Sequence, residues 1–274
     1  MAMPALPFRR LTARSVLLSV LLGSDGAWLP TPLLLSTTAL FGIADGTART
    51  ALSRMSSAGE VAATGDGYRI LKKALLARQS RQIAGRAGAT AEWTGAWRQV
   101  IVGLGERRGA AERAAVRAAL TAGRFGELRE GVWLRPDNLE DLSLEELHRL
   151  DGGALFATVR ALDITATDLA ERLWDLDDWA DSARELIGYM APLTERLEAS
   201  EHGALADGFV LNAAVLRQLA ADPLLPGELL GGDWPGVELR TVYERFDAAF
   251  RRVIQAHFTE HDHPANKATT AERI

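Results

Sequence analysis

Two short apolar runs, Glu60 to Thr64 and Tyr68 to Leu71, are separated only by Gly65-Asp66-Gly67. A glycine on each side of an aspartate supplies the backbone freedom of a tight reversal, so the runs must pair as a β-hairpin. What precedes the hairpin narrows the fold further. Residues 11–22 carry Val16, Leu17, Val20 and Leu21 at helical spacing, with Thr12 placed to cap them. Gly23 to Gly26 break that helix, and Ala27-Trp28-Leu29 read as a short extended piece. Thr31-Pro32 starts a second helix, with the threonine hydroxyl as its expected cap, and Gly42 stops it. Asp45 is the expected cap of a third helix, Thr47 to Ser57, closed by Ala58-Gly59. Three helices followed by a hairpin are the order of a winged helix-turn-helix.

Charge separates this segment from the rest. The chain of 274 residues has a formal net charge of −5, yet residues 1–90 sum to +7 and the remainder to −12. A basic segment on an acidic body suits one surface for a polyanion and another part for something else; a solubilising charge distribution is the alternative. The third helix sharpens the point. Ala48, Ala51, Leu52 and Met55 form its apolar stripe, and Thr47, Arg49, Thr50, Ser53 and Arg54 fall on the other side. No acidic residue lies between Thr47 and Gly59. Such a helix can enter a major groove, where arginine takes guanine bidentately and hydroxyls reach base edges or phosphates. Arg69 on the hairpin and Lys72-Lys73 just beyond it extend the basic surface. A merely solvated face is the alternative, and the helix order and the charge both weigh against it.

Downstream, Trp97 to Leu104 reads as a buried strand and Ala110 to Ala122 as a helix. Phe125 to Leu128 and Gly131 to Arg135 read as two strands joined by a turn, Ser143 to Leu150 as a short helix, and Ala154 to Leu162 as a last strand. The order β-α-β-β-α-β is ferredoxin-like. Helices are predicted at 165–175, 177–199, 204–221 and 236–258, with Asp177 capping the second. The fold class is therefore α+β and mainly helical. The expected domains are a winged helix-turn-helix (1–75), a linker helix (76–92), a ferredoxin-like middle domain (93–164), a helical C-terminal domain (165–260) and a flexible tail (261–274).

Several chemistries are disfavoured. Without cysteine there is no disulfide, thiol nucleophile or cysteine-ligated zinc, and a cytoplasmic setting fits best. No apolar run is read as crossing a membrane, and Val16 to Leu22 is too short and lacks the cleavage site of a signal peptide. His257 and His261 share a helical spacing but fall where the last helix is expected to fray, so no metal site and no cofactor are assigned. Phosphate loops and nucleophile elbows are missing from the sequence.

Gly46-Thr47-Ala48-Arg49-Thr50-Ala51-Leu52-Ser53-Arg54-Met55 with Gly59 resembles the recognition helix of the PaaX family, regulators of phenylacetic acid degradation. Asp222-Pro223-Leu224-Leu225-Pro226-Gly227-Glu228-Leu229-Leu230 and Asp233-Trp234-Pro235-Gly236 resemble its C-terminal motif, and Gly131-Val132-Trp133-Leu134-Arg135-Pro136 its middle domain. The resemblance implies a non-enzymatic homodimeric repressor on a double-stranded DNA operator, released by an aryl-acyl coenzyme A. Trp93, Trp97, Arg107, Arg108, Trp133 and Arg135 are the candidate effector residues, since aromatics suit an apolar ligand and arginine offers forked donors to phosphate. Surface pairing of these arginines with Glu106, Glu112, Glu127 and Glu130 is the alternative. Two other functions stay open: a winged-helix scaffold that binds protein, and a metal-dependent nuclease, for which Ile101-Val102-Gly103-Leu104-Gly105 supplies no carboxylate and Glu106 falls in the loop.

Overall fold

The computed structural model describes residues 11–71, 90–103, 109–139, 154–160, 163–201 and 203–262. The fold is α+β and mainly helical, with two small antiparallel sheets and a ferredoxin-like middle domain. It forms two compact units that do not follow chain order: residues 1–82, 185–216 and 238–274 make one, and residues 83–184 and 217–237 the other.

The first unit opens with α1 (Ala13–Leu22), β1 (Trp28–Pro30), α2 (Thr31–Leu40), α3 (Asp45–Ser57), β2 (Val61–Thr64) and β3 (Gly67–Ile70). Thr12 does cap α1, exchanging hydrogen bonds with Ser15 in a capping box. Thr31 does not cap α2: the helix already includes it, Pro30 holds the cap position, and no side chain caps that end. Asp45 likewise lies inside α3, after Ala44 at the cap. Its carboxylate therefore sits in the first turn, where the helix dipole favours it. Gly42 and Gly59, at φ +69° and +63°, end α2 and α3 in the left-handed region open to glycine. The sheet order is β1-β3-β2. Gly67 pairs with Pro30 on one side and Thr64 on the other. A Cβ there would stand 2.3 Å from the Leu29 carbonyl oxygen and 2.8 Å from the Trp28 ring. Leu17, Leu21, Leu34, Leu52, Met55, Val61 and Ile70 form the core beneath these elements.

Three later helices, α6 (Leu176–Glu198), α7 (Ala204–Ala221) and α8 (Gly236–Asp262), contribute to the same unit. Tyr243 donates to Asn212 at 2.8 Å, and the rings of Phe41 and Phe209 meet edge-on at 5.4 Å. The last helix runs four residues beyond the predicted end at 258. His257 is not in a frayed end: its Nε2 lies 3.1 Å from Ser36 Oγ, and Phe258 packs on the core beneath α1 to α3. One expectation needs amending. By length and composition α7 could cross a bilayer, though Leu211 and Val215 are buried in the unit and Asp207 in its first turn pairs with Arg196 at 2.9 Å. A buried core helix passes the same test.

The second unit holds β4 (Trp97–Ile101), α4 (Ala110–Ala122), β5 (Gly126–Arg129), β6 (Val132–Pro136), β7 (Leu155–Val159) and α5 (Ala166–Leu173). Sheet order β5-β6-β4-β7, all antiparallel, is the ferredoxin-like arrangement. Its two faces are covered differently. Val116 and Leu120 of α4 pack on Val100 and Trp133, while Leu169 and Leu173 of α5, with Leu225 and Leu229, pack on Trp97 and Leu134. Arg124, at φ +67°, donates to the carbonyls of Leu219, Ala220 and Asp222. Asn138 donates to the Leu224 carbonyl at 2.8 Å, and Trp179 stacks on Trp234 at 4.5 Å. Asp175, not Asp177, caps α6, accepting from the Asp178 amide at 3.1 Å. The predicted helix Ser143 to Leu150, most of the linker 76–92, and the tail from 263 lie outside the described residues.

Candidate nucleic-acid interface

The third helix divides as its sequence pattern requires. Ala48, Leu52 and Met55 are buried, with Ala51 half-buried beside them. Thr47, Arg49, Thr50, Ser53 and Arg54 are all exposed. Thr50 turns its hydroxyl back to the Gly46 carbonyl at 2.8 Å, which leaves the oxygen lone pairs outward. Arg69 is exposed on β3, between Trp28 and Ala62 in register. Lys72 and Lys73 lie outside the described residues.

An open groove of about 620 Å³ runs along this helix, lined by Ala13, Arg14, Thr47, Thr50, Arg54 and Glu60 among others. Arg14 and Glu60 form one side of it. Arg14 Nε and Nη2 donate to the two Glu60 oxygens at 2.9 and 2.8 Å. The hydrogen bond to Glu60 raises the Arg14 pKa above its ordinary value, against a smaller lowering by burial. Glu60 is buried and Arg14 half-exposed, so the pair fixes a guanidinium at the edge of the groove with its remaining nitrogen free of Glu60. Sequence reading passed over this pair. Its members stand 46 residues apart, and nothing local links them.

The candidate effector residues do not make one surface patch. Trp97, Trp133 and Arg135 are almost wholly buried. Trp93 is half-buried, donates to the Ala96 carbonyl at 2.6 Å and meets Trp97 edge-on at 5.9 Å. Arg117 lies over the Trp133 ring at 5.5 Å, and Arg135 over Phe125 at 5.4 Å. Arg107 and Arg108 lie outside the described residues. Among the described residues, no three His, Asp or Glu side chains come together as metal ligands would.

Three family descriptions match in chain order, all of one class: PaaX-like protein over residues 12–74, PaaX protein central Cas2-like domain over 90–171, and PaaX-like protein C-terminal domain over 174–270. The chain belongs to the PaaX family. Among solved structures it is similar to the uncharacterized protein Rv0674 from Mycobacterium tuberculosis, at 43% identity and a TM-score of 0.69, covering 90% of this chain and 98% of that one. No curated protein matches it.

Proposed function

We propose that this chain is a cytoplasmic, DNA-binding transcriptional regulator that reads a double-stranded operator as a homodimer through its winged helix-turn-helix. The observation that carries this reading is α3: exposed Thr47, Arg49, Thr50, Ser53 and Arg54 above a stripe of buried Ala48, Leu52 and Met55. A helix anchored on one side and covered with guanidinium and hydroxyl groups on the other is suited to a major groove. Membership of the PaaX family supports the same reading. Regulation requires no covalent chemistry, only a ligand whose affinity differs between the DNA-bound and released states. Repression relieved by a small acidic effector, of which an aryl-acyl coenzyme A is the type the family implies, completes the proposal.

The test is duplex binding by fluorescence anisotropy at two salt concentrations, with random DNA and with DNA from upstream of the chain's own gene. The expected result is tighter binding to the upstream fragment and a steep fall with salt, on the order of one power of salt per phosphate neutralised. Equal, salt-independent binding to both, or none, would leave the α3 surface to a protein partner.

A further inference from the structure

We infer that Arg14, on α1 and outside the third helix, clamps a phosphate of the DNA backbone, and that Glu60 positions it. The inference rests on the regulator reading and deepens it. It adds a contact that holds one DNA strand without reading sequence.

Glu60 ties the clamp to α3 and to the hairpin at once. Its amide donates to the Met55 carbonyl in the last turn of α3, and its carbonyl accepts from the Leu71 amide just past β3, both at 2.9 Å. Its buried carboxylate takes Nε and Nη2 of Arg14 side by side. Three pieces of chain thus meet at one residue. The guanidinium is held against the end of α3 instead of swinging on its own stem. The fork occupies only one edge of it. Both N–H groups of Nη1 are without an acceptor among the described residues, and half of the Arg14 side chain faces water. Arginine alone among the cationic side chains can grip a carboxylate with two nitrogens and still donate from a third.

Arg14 lines the same groove as Thr47, Thr50 and Arg54, which follow one another along the facing wall over roughly 10 Å of helix. Thr50 has given its proton to the Gly46 carbonyl, so it can only accept. The side-chain donors left over are Arg14 Nη1, the Thr47 hydroxyl and the Arg54 guanidinium. Glu60 is the one carboxylate among the lining residues, and Arg14 occupies it. An open groove with donors on both walls and no unengaged carboxylate is matched to an extended anion. The fixed position of Arg14 says which part of that anion it meets. A pinned donor cannot follow base edges that change from step to step. It suits the phosphate, which repeats and which sets register and orientation without carrying sequence.

The experiment titrates the full chain into random duplex and into the upstream fragment at several salt concentrations, with anisotropy as the readout. It compares wild type, Arg14→Met, Glu60→Gln and the double variant. Arg14→Met is expected to weaken binding to both duplexes by the same factor, about tenfold, as for loss of a charge-assisted hydrogen bond. The plot of log affinity against log salt should flatten by about one unit. Arg14→Met alone strands a buried carboxylate, which threatens the fold. The step from Glu60→Gln to the double variant strands none, and the same loss and the same flattening are expected there. If the pair only staples α1 to the hairpin, that step lowers the urea midpoint but leaves DNA affinity and slope in place, which overturns the clamp. A loss confined to the upstream fragment also overturns it, because Arg14 would then read a base. Absence of duplex binding by wild type overturns the regulator reading and the clamp with it. Wild-type binding that ignores Arg14 overturns the clamp alone.

Discussion

His257 Nε2 lies 3.1 Å from the hydroxyl of Ser36, so the last helix is tied to α2 across 221 positions of sequence. The next residue, Phe258, packs on the core that Leu17, Leu34 and Leu52 build beneath α3. The support of α3 therefore includes α8. Phe258→Ala is expected to lower stability by about 1–2 kcal/mol, less than the cost of a fully buried phenylalanine because this one is half-buried. Urea denaturation followed by near-ultraviolet signals of Trp28 would measure it. An unchanged midpoint would mean that the first three helices stand without α8.

Arg49→Ala and Arg54→Ala are expected to weaken specific DNA binding by roughly 1–3 kcal/mol each where the side chain reads a base, and by less where it meets phosphate. A phosphate contact would also flatten the salt dependence by about one unit of slope. Anisotropy titrations at several salt concentrations separate the two. Wild-type binding by both variants would remove α3 from the interface.

Glu60→Gln should cost about 1 kcal/mol, because half of Arg14 faces water and screening reduces the value of the pair. The sign of the pH effect follows from Arg14. Its folded pKa lies above the unfolded one, so its contribution is whole below the unfolded value and fades only at extreme alkalinity. Wild type and Glu60→Gln should thus differ by a constant amount on the Arg14 account from pH 7 to pH 10. Thermal denaturation across that range checks it.

Arg135 has the opposite sign. Burial lowers its pKa from the ordinary arginine range to about 10 on folding, so above pH 10 the unfolded chain binds more protons and stability rises with pH there. Below pH 10 the cost is fully present. Arg135→Met is expected to stabilise the free protein at pH 7 by about 1–3 kcal/mol, after allowance for the lost contact with Phe125. A destabilised variant in chemical denaturation would show that packing of the aliphatic stem outweighs the buried charge.

At Arg124 backbone and side chain pull apart. Its φ of +67° suits glycine, while its guanidinium holds the carbonyls of Leu219, Ala220 and Asp222. Arg124→Ala should lose the hydrogen bonds and keep the strain; Arg124→Gly should lose the bonds and relieve it. The alanine variant is expected to be less stable than the glycine one by about 1 kcal/mol. Equal midpoints in urea would argue against strain at this position.

Local chemistry was legible in the sequence, and long-range pairing was not. Thr12 and Gly59 announce the start of α1 and the stop of α3 because cap and C-terminal glycine act within one turn. The apolar stripe Ala48, Leu52, Met55 was readable because burial follows the helical period. Which aspartate caps a helix was not readable among Asp175, Asp177 and Asp178, since all three fall within one turn of the helix start. The end of α8 was placed four residues too early because the polar residues Thr259 to Asp262 carry no local stop signal that sets the boundary. Arg135 was read as a candidate effector residue, with pairing to a surface glutamate as the alternative, and its burial on β6 opposite Arg98 was not readable because it depends on strands far apart in sequence.

Gly67 has a consequence for the whole family of sequences that could replace this one. Any side chain there would collide with the Leu29 carbonyl, a backbone atom that no rotamer change can clear. In a saturation library the position would stand bare while its hairpin neighbours Ala63 and Thr64, both exposed, accept many residues. The register of β1, β3 and β2 is thereby fixed as well, because a shift by one residue would bring a side chain into the same gap.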